Sequence, residues 1–79
     1  MPPIRVLSGK QTRRILEDNG FVFVSQRGSH VKLRKQIEGM EGGETVTLTV
    51  IVPDHKELRP GTLGSVISQS GLPRELFEA

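Results

Sequence analysis

The chain has 79 residues, of which 34% are hydrophobic, and it combines a formal net charge of +2 with a complete absence of cysteine. We expect a single small domain over residues 1–79, whose modest core leaves no room for a deep, enclosed active site. A disulfide framework, a zinc ribbon and a thiol nucleophile are excluded.

The charged residues are divided unevenly along the chain. Residues 1–35 contain eight Lys or Arg against Glu17 and Asp18, whereas residues 36–79 contain three basic and seven acidic residues. This division predicts a basic face in the N-terminal half that attracts a polyanion, although ordinary solvated charges would give the same count.

Aromatic residues and apolar runs limit the possible partners. The three aromatic residues, Phe21, Phe23 and Phe77, are all expected in the core, so a nucleic acid would be held through backbone, charge and shape rather than by base stacking. No apolar run approaches the roughly 20 residues of a membrane helix, and the N-terminal segment does not resemble a signal peptide. We therefore expect a soluble, cytoplasmic protein without membrane contact.

The first predicted element is a helix that runs from Ser8 to about Asn19. Ser8 followed by Gln11 matches a capping box, and Gly20 is placed to end the helix in a left-handed conformation. The expected inner side is formed by Val6, Leu7, Ile15 and Leu16. Three basic residues at helical spacing are predicted to share its outer face: Lys10, Arg13 and Arg14.

Three strands are predicted next, over residues 21–26, 29–37 and 44–53. Arg27-Gly28 marks a tight turn between the first two strands. In the second strand, alternation places Val31 and Leu33 on one face and three polar residues on the other: His30, Lys32 and Arg34. Loop 38–43 joins it to the third strand, whose inward side is predicted to contain Val46, Leu48, Val50 and Val52.

The C-terminal part is predicted to form a helix over residues 59–71, with Gly71 as its C-terminal cap. Its buried stripe contains Leu63, Val66 and Ile67. One further turn follows, with Leu76 and Phe77 packing back onto the core. The order is α-β-β-β-α, which predicts an α+β two-layer sandwich with a three-stranded antiparallel sheet and one open face. Double-stranded-RNA-binding domains have this order.

His30 is the residue for which the pattern has the strongest functional consequence. It shares the solvent face with Lys32 and Arg34, so it is not a core histidine. The string RGSH resembles a purification-tag remnant, but it lies inside the chain and the strand pattern runs through it. His55 is the only other histidine, and no carboxylate lies at short ligand spacing from His30, so a metal site is not predicted.

Acid–base chemistry fits the surroundings of His30 better. A neutral imidazole can remove the proton of a ribose 2′-hydroxyl, and the cations of Lys32 and Arg34 could stabilise the charge that develops on the phosphate. Gly28 would let a phosphate approach the backbone, and Ser29 could add a hydroxyl contact. The residues alone leave both interpretations open, since a histidine beside two cations is also common as ordinary surface.

Several motifs together resemble those of the HicA (YcfA-like) toxins of toxin–antitoxin modules. They are LEDNGF at the end of the first helix, RGSHVKL at the turn into the second strand, and VTLTVIVPDHKELRPGTLGSVISQSGL from the third strand onwards. The resemblance covers nearly the whole chain. It implies an mRNA interferase that acts without metal or cofactor, has a double-stranded-RNA-binding-like fold and is inhibited by a HicB antitoxin.

The resemblance also assigns residues. The family's catalytic histidine corresponds to His30, with Gly28 and Ser29 on the accompanying motif positions, and His55 occupies the Pro-x-His position as an RNA contact or a structural residue. The spacing of the basic residues adds candidate RNA contacts, listed by position as Lys10, Arg13, Arg14, Lys32 and Arg34. A non-catalytic RNA-binding module of the same fold and a degenerate toxin that only binds its antitoxin are the alternatives.

Overall fold

The computed structural model describes residues 6–39 and 42–78. Two helices and three strands occur in the predicted order, followed by a short 3-10 turn, which confirms the α+β class. The elements are α1 Gly9–Asp18, β1 Val22–Arg27, β2 His30–Glu38, β3 Thr45–Pro53, α2 Pro60–Ser70 and the 3-10 turn Arg74–Phe77. None of the helices in the described ranges is long and apolar enough to cross a membrane.

The capping box predicted for α1 is present. The Ser8 hydroxyl accepts a hydrogen bond from the Gln11 amide at 3.0 Å, and the Gln11 side chain accepts one from the Ser8 amide at 2.9 Å. Gly20 has a φ of +96° just after the helix, as predicted. The Lys35 ammonium donates to the Asn19 carbonyl at 2.8 Å and thereby caps the C-terminal end of α1.

The sheet has the order β1-β2-β3 with both neighbours antiparallel. Val31 pairs with Val52 and Leu33 with Val50, so these four buried side chains occupy one face. Both helices pack on that face and complete a single core, whose buried members are Leu7, Leu16, Phe21, Val31, Leu33, Val50, Val52, Leu58, Leu63, Val66, Ile67 and Phe77. The opposite face of the sheet is open.

Four of the predicted core residues are instead exposed: Val6, Phe23, Val46 and Leu76. Val46 pairs with Ile37, which lies beyond Arg34, the last residue of β2 that pairs with β1. Neither side chain therefore meets the core. Phe23 lies on the edge strand and is 48% exposed, with the Arg13 guanidinium over its ring, 5.2 Å from the centroid.

The two hairpins also differ from the predictions. The loop between β1 and β2 consists of Gly28, with a φ of +55°, and Ser29. In the predicted loop 38–43, Glu38 is the last residue of β2, the Gly39 amide bonds to the Glu44 carbonyl, and residues 40 and 41 lie outside the described residues. The connection between β2 and β3 therefore lies one residue later than predicted, at positions 39–44.

Replacing Gly9 with alanine is expected to destabilise the fold. Gly9 donates its amide hydrogen to the His55 carbonyl at 2.8 Å, and an added Cβ would overlap the backbone carbonyl oxygen of Pro53. Because backbone has to move, we expect a loss of about 1–3 kcal/mol in the free energy of unfolding, measured by urea denaturation. Pro53 is the cross-strand partner of His30, so the displacement would also reach the open face.

Gly64→Ala is the matched control for this substitution. Gly64 lies within α2, where a Cβ would meet no atom within 4 Å. The variant should gain up to about 1 kcal/mol of stability from the higher helix propensity of alanine. Equal stabilisation by both substitutions would show that α1 is not seated tightly against Pro53.

Candidate active site on the open sheet face

The open face of the sheet presents three transverse rows of side chains. Residues paired across neighbouring strands point to the same face, so each row contains one residue from every strand. From the β1–β2 turn towards the centre of the sheet, the rows are Arg27–His30–Pro53, Ser25–Lys32–Ile51 and Val22–Arg34–Thr49. His30 therefore lies on the solvent face, as the alternation of β2 predicted.

A groove of about 670 Å³ occupies the first two rows. It is lined by Ser25, Gln26, Arg27, His30, Lys32 and Ile51. His30 is exposed in this groove, with a cation one row further along its own strand and another on the neighbouring strand. The arrangement can present an imidazole to a hydroxyl group while two positive charges face an adjacent anion.

Arg27 is the charged groove residue that the sequence analysis missed, and Ser25, Gln26 and Ile51 were missed as well. It was predicted only as part of a turn, yet it pairs directly with His30 across the β1–β2 hairpin. The signal was available, because the residues that flank a two-residue loop face each other in the ladder. Recognising Gly28-Ser29 rather than Arg27-Gly28 as the loop would have placed the guanidinium beside the imidazole.

Gly28 and Ser29 hold the turn in position through their backbones. The Gln26 side-chain amide donates to the Gly28 carbonyl at 2.9 Å. On the other side, the Ser29 carbonyl accepts a hydrogen bond from the Asp54 amide at 2.6 Å. The turn that precedes His30 is thus tied both to β1 and to the segment after β3.

Arg34 lies outside the groove. It is four residues from His30 along β2, a separation of about 13 Å at the usual rise per strand residue. Among the basic residues predicted near His30, only Lys32 shares its groove. Arg34 remains on the same face, in the row with Val22 and Thr49.

The three basic residues of α1 do not form the common outer face that their spacing predicted. The Arg13 side chain lies over the Phe23 ring and is 3.8 Å from the Glu17 carboxylate. Lys10 and Arg14 line a separate groove on α1 together with Gln11 and Ile15. The predicted basic face is therefore divided between the open sheet and this helix.

His55 lies near the N-terminal end of α1, where its carbonyl accepts the Gly9 amide hydrogen at 2.8 Å. His55 lines a groove of about 350 Å³ with Ser8, Lys10, Asp54 and Lys56, and it does not line the groove of His30. Within residues 6–39 and 42–78, no three His, Asp or Glu side chains are grouped so as to hold a metal ion.

Charge changes sign along the open face. Arg27, Lys32 and Arg34 occupy the rows near the β1–β2 turn, and the uncharged pair Gln36 and Thr47 follows. The far end of the same hairpin carries Glu38, which pairs with Thr45. A polyanion would therefore be attracted to the end of the sheet that contains His30.

Comparison with known proteins identifies the family. The family described as "HicA toxin of bacterial toxin-antitoxin" matches residues 9–72. The chain belongs to the HicA toxin family. No curated protein matches the chain. The HicA match extends from the start of α1 past the end of α2 and includes the whole His30 groove, so the chain is the toxin of a toxin–antitoxin system and has an antitoxin as partner.

Proposed function

We propose that this HicA-family toxin is a metal-independent endoribonuclease that cleaves mRNA in the cytoplasm, with His30 as the general base. The proposal is carried by the groove that exposed His30 shares with the cationic residues Arg27 and Lys32. Membership of a toxin family supports it, since RNA cleavage would arrest translation.

The chemistry requires one proton acceptor and a site for negative charge. The His30 imidazole removes the proton from a ribose 2′-hydroxyl, whose oxygen forms a bond to the adjacent phosphorus while the bond from phosphorus to the 5′-oxygen breaks. The leaving 5′-oxygen takes up a proton, which the imidazolium can return. The products are a 2′,3′-cyclic phosphate and a 5′-hydroxyl end.

The two cations of the groove act on the phosphate. Negative charge accumulates on its nonbridging oxygens in the transition state, and positive groups fixed in position stabilise that charge. Arg27 can bind two oxygens at once through its planar guanidinium, whereas Lys32 supplies a single point charge. We assign Arg34, one row beyond the groove, to a neighbouring phosphate of the RNA, and Gly28 and Ser29 to holding the turn.

The product ends provide the test of this function. Purified toxin should cleave RNA in the presence of EDTA and leave 2′,3′-cyclic phosphate ends, detected by mass spectrometry. A 2′-deoxy substitution at the cleaved nucleotide should abolish the reaction, because the attacking oxygen is missing. Cleavage that stops in EDTA and returns with a divalent ion, or 3′-hydroxyl products, would overturn the mechanism. No cleavage of any RNA would favour a non-catalytic RNA-binding module.

Arg27→Ala is expected to slow cleavage more than Arg34→Ala. The first substitution removes a cation paired with His30 in the groove, and the second removes one about 13 Å along the strand. We expect a loss of about 10²-fold in kcat for Arg27→Ala, in the range of one electrostatic donor, and mainly a higher KM for Arg34→Ala. Each variant should also reduce the slope of RNA affinity against salt by about one.

The antitoxin is proposed to be a HicB protein that covers the groove with an acidic surface. Charge complementarity with Arg27, Lys32 and Arg34 supports this arrangement, since opposite charges promote association and fix the docking position. Binding of the antitoxin should therefore protect the RNA and should weaken in Arg27→Ala. If the antitoxin bound this variant and the unmodified toxin equally at low salt, its docking site would lie elsewhere on the toxin.

A further inference from the structure

The turn before His30 has the backbone conformation of one class of tight hairpin turn. Its two central residues are Gly28, with a φ of +55°, and Ser29. No described residue other than glycine has a positive φ, so the φ of Ser29 is negative. A positive φ at the first central residue alone is typical of a type II′ turn, because the type I′ turn requires it at both positions. In such a turn the peptide group between the two central residues lies roughly perpendicular to the plane of the hairpin.

Gln26 shows which way this peptide group points. Gln26 pairs with the buried Val31, so its side chain lies on the core-facing side of the β1–β2 hairpin. From that side its Nε2 donates to the Gly28 carbonyl at 2.9 Å. In a trans peptide the carbonyl and the amide hydrogen point in opposite directions. The amide hydrogen of Ser29 therefore points to the open face, the one that contains the groove.

The Ser29 amide has no hydrogen-bond acceptor within residues 6–39 and 42–78. There, Ser29 takes part in backbone hydrogen bonding only through its carbonyl, which accepts from the Asp54 amide at 2.6 Å. An exposed amide can bond to water, so its freedom alone indicates no ligand. Its position does, because Arg27 and His30 flank the loop and their side chains share the open face. A backbone donor thus lies between a cationic residue and the candidate base.

We infer that the Ser29 amide hydrogen binds a nonbridging oxygen of the scissile phosphate and that Gln26 is the positioning residue for it, and this inference rests on the proposed function. Negative charge grows on the nonbridging oxygens in the transition state, and a donor that is already fixed stabilises it without rearrangement. Gln26 holds the Gly28 carbonyl and Asp54 holds the Ser29 carbonyl, so the peptide groups on both sides of the Ser29 Cα are anchored.

The other conformation open to the same turn explains why Gln26 matters. Rotation of the Gly28–Ser29 peptide group by about 180° converts a type II′ turn into a type I′ turn and moves the amide hydrogen to the core-facing side. That rotation would break the bond from Gln26 and would give Ser29 a positive φ, which is unfavourable for a residue with a side chain. The Gln26 side chain therefore keeps the amide hydrogen on the side where the phosphate would lie.

Ser29→Pro tests the amide, because it removes the hydrogen and preserves the turn. The φ of proline, about −65°, is compatible with the second central position of a type II′ turn. We expect kcat to fall at least about tenfold with little change in the urea midpoint, since the donor acts on the transition state. Ser29→Ala is the matched comparison, which loses the hydroxyl but keeps the amide and should cleave at least about tenfold faster than Ser29→Pro. Equal rates in the two variants would overturn the inference and leave the ribonuclease function intact.

Sulfur substitution in the substrate identifies the atom that the amide contacts. An RNA with sulfur in place of one nonbridging oxygen of the scissile phosphate is prepared as two separate stereoisomers. The unmodified toxin should cleave one stereoisomer more slowly than the all-oxygen RNA, and Ser29→Pro should reduce this difference, because the two changes remove the same contact. A difference of the same size in both proteins would show that the amide does not contact the phosphate.

Gln26 is tested through kcat and KM measured separately. Gln26→Met keeps the length of the side chain and removes the donor, so kcat should fall while KM stays nearly the same, because the cations of the face remain. Gln26→Lys supplies a donor again and should restore kcat. Gln36→Met is the matched control, since Gln36 lies on the open face outside the groove and should tolerate the same substitution. An unchanged kcat in Gln26→Met, or no restoration in Gln26→Lys, would exclude the positioning role.

A measurement without catalysis separates this inference from the proposed function. Single-stranded DNA lacks the attacking 2′-hydroxyl, and it can be titrated into isotope-labelled toxin while the amide signals are followed by NMR. The Ser29 amide proton should move downfield as it bonds to a phosphate oxygen. A downfield shift in a protein that cleaves no RNA would support the phosphate contact and contradict only the ribonuclease function. No shift of this signal at saturation would overturn the inference.

Discussion

The His30→Ala variant is expected to cleave RNA about 10²–10⁴-fold more slowly than the unmodified toxin, the range typical of a lost general base. The His30 imidazole is the general base of the proposed mechanism, whereas Arg27 and Lys32 supply positive charge in the same groove. The rate should be measured on one RNA in EDTA, with growth arrest in cells as the parallel readout. RNA cleavage and growth arrest should decrease together.

Stability and binding controls make this result specific. His30 is exposed, so the variant should unfold at the same urea concentration as the unmodified protein. It should also retain RNA binding, because the cations of the face remain. Gln36→Ala, an exposed position on the same face of β2 outside the groove, should keep full activity. Undiminished cleavage or toxicity in His30→Ala would exclude a catalytic role and leave RNA binding as the activity.

Phe77→Ala is expected to lower the free energy of unfolding by about 3–5 kcal/mol, a large share of the total stability of a domain of this size. Phe77 is fully buried in the core and is contributed by the last described turn of the chain. Its removal leaves a cavity that the short 3-10 turn can fill only by moving. Urea denaturation followed by circular dichroism measures the loss.

Phe23→Ala is the matched comparison for this prediction. Both variants delete the same kind of ring, but Phe23 is half exposed and lies under the Arg13 guanidinium. We expect a loss of about 1 kcal/mol or less, since the ring gives up mainly a cation–π contact and partial burial. If both variants were destabilised equally, the core would extend over the edge strand and the packing described for Phe23 would be wrong.

Local features of the fold were predictable because short-range rules decide them. The capping box at Ser8 and the left-handed glycines at positions 20 and 71 involve contacts within a few residues. Strand alternation likewise depends only on the period of two, and it correctly put Val31 and Leu33 on the core side of β2. The same rule placed His30 on the open face without any tertiary information.

The errors in the predicted core have a common cause. Val46 and Leu76 were predicted to be buried from periodicity and hydropathy, which give the direction of a side chain but not whether another element covers it. At Val46 the hairpin of β2 and β3 extends past the end of β1. The face of β3 that is buried elsewhere is therefore exposed to solvent there. Coverage depends on the relative lengths of elements that are distant in sequence.

The sequence by itself determined the order of elements, the family and the identity of the candidate base. These follow from contacts between near neighbours and from motifs that occupy consecutive positions. Only the tertiary structure determined the composition of the groove. Arg27, Lys32 and Ile51 come from three different strands, and the pairing register of these strands brings them together. A shift of one residue in that register would turn each of these side chains to the other face. For this reason Ile51 of β3 appears beside Lys32 only once the strands are paired.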